Sequence, residues 1–300
     1  MPAGPADGKW NPGMIEVEPS GAACGAMVRG VDLRAIDDAL ATQLRGIWLE
    51  HQVIGIPDQH LDIEDLERIA PFLGPFGQDP YIRSLPGHPH VVAVKREAAE
   101  TAPIFAESWH SDWSFLASPP AGTMLYGVEI PPVGGDTLYA SQYAAYDALD
   151  DDQKARLDGL VGIHSARRGY AKDGQYGTRD TGRSMDIISS DEALATQRHP
   201  LVRVHPETGR RALFCSIGYT IGVEGLDSDE AQSLLLELHR HQIQEQFIYR
   251  HRWSAGMLTL WDNRCLLHSA TGGYQGHRRL LHRITIAERD DPVDVSASAG

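Results

Sequence analysis

The sequence predicts a mainly β protein with flanking helices, an antiparallel double sheet of the jelly-roll kind. Three observations carry that expectation. Short apolar segments recur between Gly and Pro punctuation, as strands do. They do not alternate regularly with helical patterns, which sets aside a doubly wound parallel sheet. No internal repeat of roughly 20 to 50 residues appears, which sets aside solenoids and propellers.

Taken in order, residues 14–17 and 26–31 read as strands. Residues 36–49 carry Ile36, Leu40, Leu44, Ile47 and Trp48 at helical spacing and run into a short buried strand at 53–56. A second amphipathic helix is expected at 62–72, with Asp62 as its N-cap and Leu66, Ile69 and Phe72 on one side. Strands are expected at 90–94, 122–130 and 137–140, the last after the turn signal Pro-Pro-Val-Gly-Gly. Helices return at 142–149 and 151–160. Residues 167–197 are rich in Gly, Arg, Asp and Ser and read as a long loop, of the kind that forms lids. Strands at 200–204 and 212–216 flank a turn at 206–209; a helix follows at 227–242. Strands at 246–251, 257–261 and 280–286 close the chain. The helices are expected on one outer face, leaving the sheet interior free for a site. One jelly-roll domain is therefore expected over 14–290, with a flexible leader at 1–13 and a flexible tail at 291–300.

Composition narrows the function. The 300 residues carry 27 Lys plus Arg against 41 Asp plus Glu, a net charge of −14. A chain that repels phosphate and anionic lipid suits neither nucleic acid nor a membrane surface. No apolar run approaches the ~20 residues needed to span a bilayer, and the N-terminus has no secretory pattern. Cys24, Cys215 and Cys265 show no paired spacing, and the odd total argues against a disulfide framework. A cytoplasmic protein is the simplest expectation.

Phosphate-cradling glycine motifs and the G-x-S-x-G elbow are absent. His88 and His90 flank Pro89 and could pair on a metal, although solvated loop histidines are the better reading. His239 and His241 are two apart on a helix and cannot grip one ion. His164, His199 and His205 read as hydrogen-bonded structural groups. His110 and Asp112 differ: in Trp109-His110-Ser111-Asp112-Trp113 an extended backbone would point both to one side. The region 258–283 offers a third ligand, with His268 and His282 in it. Two His and one carboxylate with open positions opposite form the facial triad of non-haem Fe(II) oxygenases. Eleven residues separate His268 from Arg279, enough to leave one strand, turn through Gly272-Gly273 and enter the next beside it.

Here the chain resembles the taurine dioxygenase and 2,4-dichlorophenoxyacetate dioxygenase family, Fe(II)- and 2-oxoglutarate-dependent enzymes built on a double-stranded β-helix. The markers are Trp109-His110-Ser111-Asp112 with Phe115, Gly134-Gly135-Asp136-Thr137-Leu138, Trp261-Asp262-Asn263-Arg264 leading to His268, and Arg279. The resemblance implies that His110, Asp112 and His268 hold iron, and that Thr137 and Arg279 bind the distal carboxylate of 2-oxoglutarate. It implies oxidation of a C–H bond by dioxygen with release of succinate and CO2. Arg283 matches the arginine that holds an anionic group of the substrate, so a sulfonate, sulfate ester, aryloxyalkanoate or amino-acid-like substrate is expected. Asp79 and Ala106 stand where taurine-oxidising relatives carry His and Asn, which speaks against taurine and makes Asp79 a candidate for an amine or hydroxyl. Tyr170, on the lid, is the third substrate candidate. A homo-oligomer, dimer or tetramer, is expected by resemblance. The rival readings are a zinc-dependent hydrolase using the same His-Asp-His site and a non-catalytic binding protein on the same fold.

Overall fold

The computed structural model describes residues 15–178 and 182–289; the expected leader and tail lie outside them. An eight-stranded sheet forms the main layer, in the spatial order Glu16–Pro19, Ala26–Arg29, Val53–Ile56, Leu258–Asp262, Gly122–Glu129, Arg279–Ile286, His88–Arg96 and Ser84–Leu85. Facing it are two three-stranded sheets, Ile248–His251 with Thr137–Ser141 and Leu266–Ala270, and Thr220–Val223 with Val161–His164 and Gln197–Pro200. The hairpin Val202–Val204 with Arg211–Leu213 adds a fourth piece. Among the described strands every pairing is antiparallel except Ala26–Arg29 against Val53–Ile56. The expected mainly β fold with helices is therefore what forms.

Local chemistry fixes the helices. Asp37 caps Asp38–His51 through Leu40 N–H, so Ile36 is left outside the helix expected to include it. Asp62 caps Ile63–Leu73 as expected, and Asp65 reaches back to complete a capping box. These two helices bury Leu44, Trp48, Leu66 and Ile69 against Ile54, Met124, Leu260 and Ile284 of the main sheet. The helix Ser228–Gln242 instead packs Leu234, Leu235 and Leu238 on the smaller sheets' side, with Leu201, Leu213 and Val223. The helices thus cover two outer faces, not one; each sheet layer has an apolar back to cover.

Between the layers, Leu125, Trp261 and Leu281 of the main sheet meet Tyr139 and Leu266 of the smaller one. The buried ion network Arg45–Glu207–Arg264–Asp262–His205 ties the first helix to the turn after Leu258–Asp262. The three cysteines are free and buried. Neither His88 nor His90 joins a metal cluster: the first hydrogen-bonds Glu67 and the second stacks on Phe76.

Several expectations are corrected. Leu266–Ala270, Thr220–Val223 and Val161–His164 are strands that periodicity does not reveal, since each is short and carries Gly, His or Thr inside a small curved sheet. His268 and Arg279 do not lie on neighbouring strands; Leu266–Ala270 belongs to a smaller sheet and Arg279–Ile286 to the main one, so the intervening turn crosses between layers. Among its described residues the 167–197 stretch is not an open loop. It contains helical turns at Arg167–Tyr170, Gln175–Thr178 and Asp191–Leu194 and ends in the strand that begins at Gln197.

Candidate metal centre and substrate cavity

His110, Asp112 and His268 are buried, and one ligand atom from each lies within 4.8 Å of the others. The expected extended His110-Ser111-Asp112 segment is corrected. His110 makes a single bridge to His268, and the chain turns at Asp112 into Trp113, whose φ is 46°. Convergence survives because the turn, and not a strand's alternation, aims the carboxylate. Asp112 Oδ1 sits 3.7 Å from Nε2 of both histidines. His282, the other histidine near the third-ligand position, is outside the cluster.

Two of the three ligands are oriented from behind by hydrogen bonds, while His268 Nδ1 is buried without a partner among the described residues. His110 Nδ1–H donates to the Ser108 carbonyl at 2.7 Å, which leaves Nε2 as the lone-pair nitrogen. Thr123 Oγ1 donates to Asp112 Oδ2 at 2.6 Å, and Asn263 Nδ2 donates to Thr123 in turn. Burial alone would raise the Asp112 pKa, but the Arg283 guanidinium and the two imidazoles hold it well below the usual carboxylate range. Burial, with His110 beside it, pushes His268 down to about 3, so it is neutral at physiological pH. An ionised carboxylate and a neutral imidazole are the forms that bind a metal.

A cavity of about 240 Å³ opens over this triad between the sheet layers. Thr137 and Arg279 line it from opposite layers. Arg279 is buried, donates through Nη2 to the Gly135 carbonyl at 3.2 Å, and leaves Nε without a partner. Its guanidinium faces the Trp253 and Tyr274 rings at 5.8 and 5.9 Å. Among the described residues no carboxylate pairs with it, and desolvation lowers its pKa. A buried cation in that state invites an anionic ligand. Thr137 Oγ1 accepts from Trp253 Nε1 at 3.0 Å, so its own proton is free to donate into the cavity. The Gly134-Gly135 turn is required here: both have positive φ, and a Cβ on Gly134 would come within 2.6 Å of the Gly272 and Gly273 backbone.

The two other substrate candidates separate from Arg283. Tyr170 lines the cavity from the helical turn Arg167–Tyr170 and stacks on Tyr81 at 4.8 Å. Asp79 is not at the cavity wall. Its carboxylate accepts from Trp113 Nε1 and Thr285 Oγ1 and lies 3.3 Å from Arg283 Nε, which corrects its expected contact with substrate. Arg283 does line the cavity, but Asp79 flanks it on one side and Asp112, at 3.3 Å, on the other. Periodicity and motif spacing give no sign of Thr123, Trp253 or Tyr219, whereas Arg168 stands in the stretch read as the lid. Trp253 and Thr123 act behind the motif residues, while Tyr219, edge-on to His110 at 5.9 Å, and Arg168 line the cavity.

Residues 16–285 match the taurine catabolism dioxygenase TauD, TfdA family. The chain belongs to that family. It is 34% identical over 288 residues to an (S)-phenoxypropionate/alpha-ketoglutarate-dioxygenase of Sphingobium herbicidovorans, covering 95% of this chain and 98% of the relative. It is 40% identical over 201 residues to an alpha-ketoglutarate-dependent 2,4-dichlorophenoxyacetate dioxygenase of Cupriavidus pinatubonensis, 67% of this chain and 66% of that one. A crystal structure of a taurine dioxygenase from Burkholderia xenovorans superposes with TM-score 0.76 at 30% identity, covering 92% of this chain and 91% of that one. As a TauD, TfdA family member with this triad, the chain is a dioxygenase that uses Fe(II), 2-oxoglutarate and O2. The residues fit both groups: two nitrogens and one oxygen for the metal, and an unpaired buried guanidinium beside a free hydroxyl for the keto acid.

Proposed function

We propose that this dioxygenase hydroxylates an unactivated C–H bond of a small organic anion with an apolar or aromatic body. Iron would be held by His110, Asp112 and His268, and the far carboxylate of 2-oxoglutarate by Thr137 and Arg279. The observation that carries the reading is the unpaired buried Arg279 sharing one cavity with the His-Asp-His triad. Phe105, Leu125, Tyr170, Tyr176 and Tyr219 supply apolar and aromatic wall around the triad. Such walls suit the phenoxy-acid substrates in the names of two relatives better than a small, fully polar sulfonate.

When bound, iron and 2-oxoglutarate supply the oxidation: 2-oxoglutarate, O2 and R–H become succinate, CO2 and R–OH. The protein supplies orientation. Ser108 and Thr123 fix His110 and Asp112, and the Trp253 indole fixes the Thr137 hydroxyl. The aromatic wall keeps water from the reacting C–H bond. No side chain needs to move a proton in this chemistry. The sheet layers enclosing the cavity are read as the double-stranded β-helix of the family, and the described residues of the 167–197 stretch as its lid. A cytoplasmic location and a dimeric or tetrameric state belong to the same proposal; no helix among the described residues is long and apolar enough to cross a membrane. The zinc-hydrolase reading finds no support, since it leaves Thr137 and Arg279 without a role.

The test is anaerobic addition of Fe(II) and 2-oxoglutarate, which should give the visible charge-transfer band of a chelated keto acid. A panel of aryloxyalkanoates, sulfate esters, sulfonates and amino acids is then scored by succinate release above background. A His110→Ala protein that kept both band and turnover would remove the ligand assignment.

A further inference from the structure

Resting on that reading, we infer that Glu100 is a positioning residue for the substrate: through Arg183 it holds the Phe105 and Tyr176 rings as one wall of the cavity, and so limits the bulk of the aryl body that enters. Phe105 and Tyr176 both line the cavity, with their rings 5.8 Å apart. They come from different segments, Phe105 from the loop after His88–Arg96 and Tyr176 from the turn Gln175–Thr178. A wall made of two loop segments keeps its shape only if something ties them together.

The tie is polar and buried. The Arg183 guanidinium faces the Phe105 ring at 5.8 Å and the Tyr176 ring at 5.5 Å, so it packs on both halves of the wall. Its Nη2 donates to the Pro103 carbonyl at 2.7 Å, just before Phe105 in the chain. Its Nη1 lies 3.9 Å from Glu100 Oε1, and the two side chains are 4% and 1% exposed. Arg96 Nη1 donates to the same oxygen at 3.5 Å, and Arg96 Nη2 to the Glu100 carbonyl at 2.8 Å. Glu100 Oε2 accepts from the Ser184 N–H at 3.0 Å and from the Ser184 hydroxyl at 2.6 Å. One carboxylate thus joins the loop that carries Phe105 to the segment that carries Arg183. Removing its charge would leave a buried guanidinium without its counter-ion and drive it toward water.

Behind the wall there is room to retreat. A second void, of about 20 Å³, is lined by Phe105 and Arg183 together with Val94, Met185, Tyr274 and Arg279. Phe105 therefore partitions the substrate cavity from this void. With Arg183 in place the ring is held against the cavity; with Arg183 drawn out to water the ring can turn into the void, and the cavity widens. A close-packed wall discriminates by bulk, so an unsubstituted phenoxy acid suits the closed wall and a bulkier aryl group needs it open.

The experiment is equilibrium binding to the anaerobic Fe(II)/2-oxoglutarate protein, read by isothermal titration with phenoxyacetate and 4-tert-butylphenoxyacetate. Wild type should bind the first about tenfold more tightly. Glu100→Gln keeps an acceptor for Ser184 but cancels the charge; it should bring the two affinities within about twofold by raising that of the bulky acid. Phe105→Ala should do the same, and Glu100→Gln added to Phe105→Ala should change nothing further, because the one acts through the other. Should Glu100→Gln fail to fold, Arg183→Ala carries the same expectation. Variants that keep the wild-type preference overturn the inference, as do a wild type that binds both acids equally and a double variant whose effects add. A merely structural role would weaken both acids alike and lower the 2-oxoglutarate affinity with them, which also overturns it. A wild type that binds neither acid removes the aryloxy reading, and this inference with it. Failure of the enzymatic reading shows separately, as absence of the keto-acid band or of succinate release in the wild type.

Discussion

His110 and His268 exchange backbone hydrogen bonds in both directions, His110 N–H to His268 C=O at 3.1 Å and His268 N–H to His110 C=O at 2.8 Å. The bridge sets the imidazole centroids 4.2 Å apart. Two ligands far apart in sequence are thus fixed by main chain, and only the third needs a side-chain support.

That support is Thr123. Thr123→Val keeps the shape but removes the donor to Asp112 Oδ2 and strands the Asn263 amide. Fe(II) affinity should fall about 10–100-fold, as for other groups behind metal ligands. An anaerobic Fe(II) titration reads this, and a thermal melt should show the fold intact; an unchanged titration would mean that Asp112 holds its orientation unaided.

Arg279→Met tests the empty guanidinium. Loss of a charge-assisted fork should weaken 2-oxoglutarate binding by about 10–100-fold. Removing a buried cation without a counter-ion should leave the ligand-free melting temperature equal to wild type or higher. Metal plus 2-oxoglutarate should raise the wild-type melting temperature and leave that of the variant nearly unmoved. A large drop in ligand-free stability would instead give Arg279 a structural partner.

Trp253→Phe keeps a ring facing Arg279 and removes the N–H that fixes Thr137. One net hydrogen bond of about 1 kcal/mol corresponds to roughly a fivefold rise in the KM for 2-oxoglutarate. Substrate KM should not follow. Equal changes in both would show that the indole shapes the whole cavity.

Gly177→Ala probes the lid. A Cβ there would overlap the Lys172 carbonyl and crowd that of Ala171, so the turn Gln175–Thr178 must shift away from Ala171-Lys172. Overpacking of this kind costs about 1–3 kcal/mol. If the cost falls on lid closure, substrate KM rises roughly tenfold while the keto-acid band persists. Loss of the band would make the segment part of the metal site's framework.

The main sheet and its helices were legible because their residues obey local rules: Asp62 at an N-cap, Leu66 and Ile69 on one face, apolar runs at 53–56 and 257–261. Leu266–Ala270 was not legible from its pattern; only the spacing from His268 to Arg279 put His268 on a strand. It is buried at all but its last residue, so its pattern lacks the alternation that marks a half-exposed strand.

The sequence by itself, through its resemblance to the family, pointed to His110, Asp112 and His268 as the metal ligands and to Thr137 and Arg279 as the proposed cosubstrate pair. Tertiary structure alone decided what each charge is free to do. Asp79 became a support of Arg283, and Arg283 was set at the cavity wall between Asp79 and Asp112. The reason is physical: electrostatic energy depends on separation in space and on burial, and these carboxylates reach Arg283 from segments far from it in the chain.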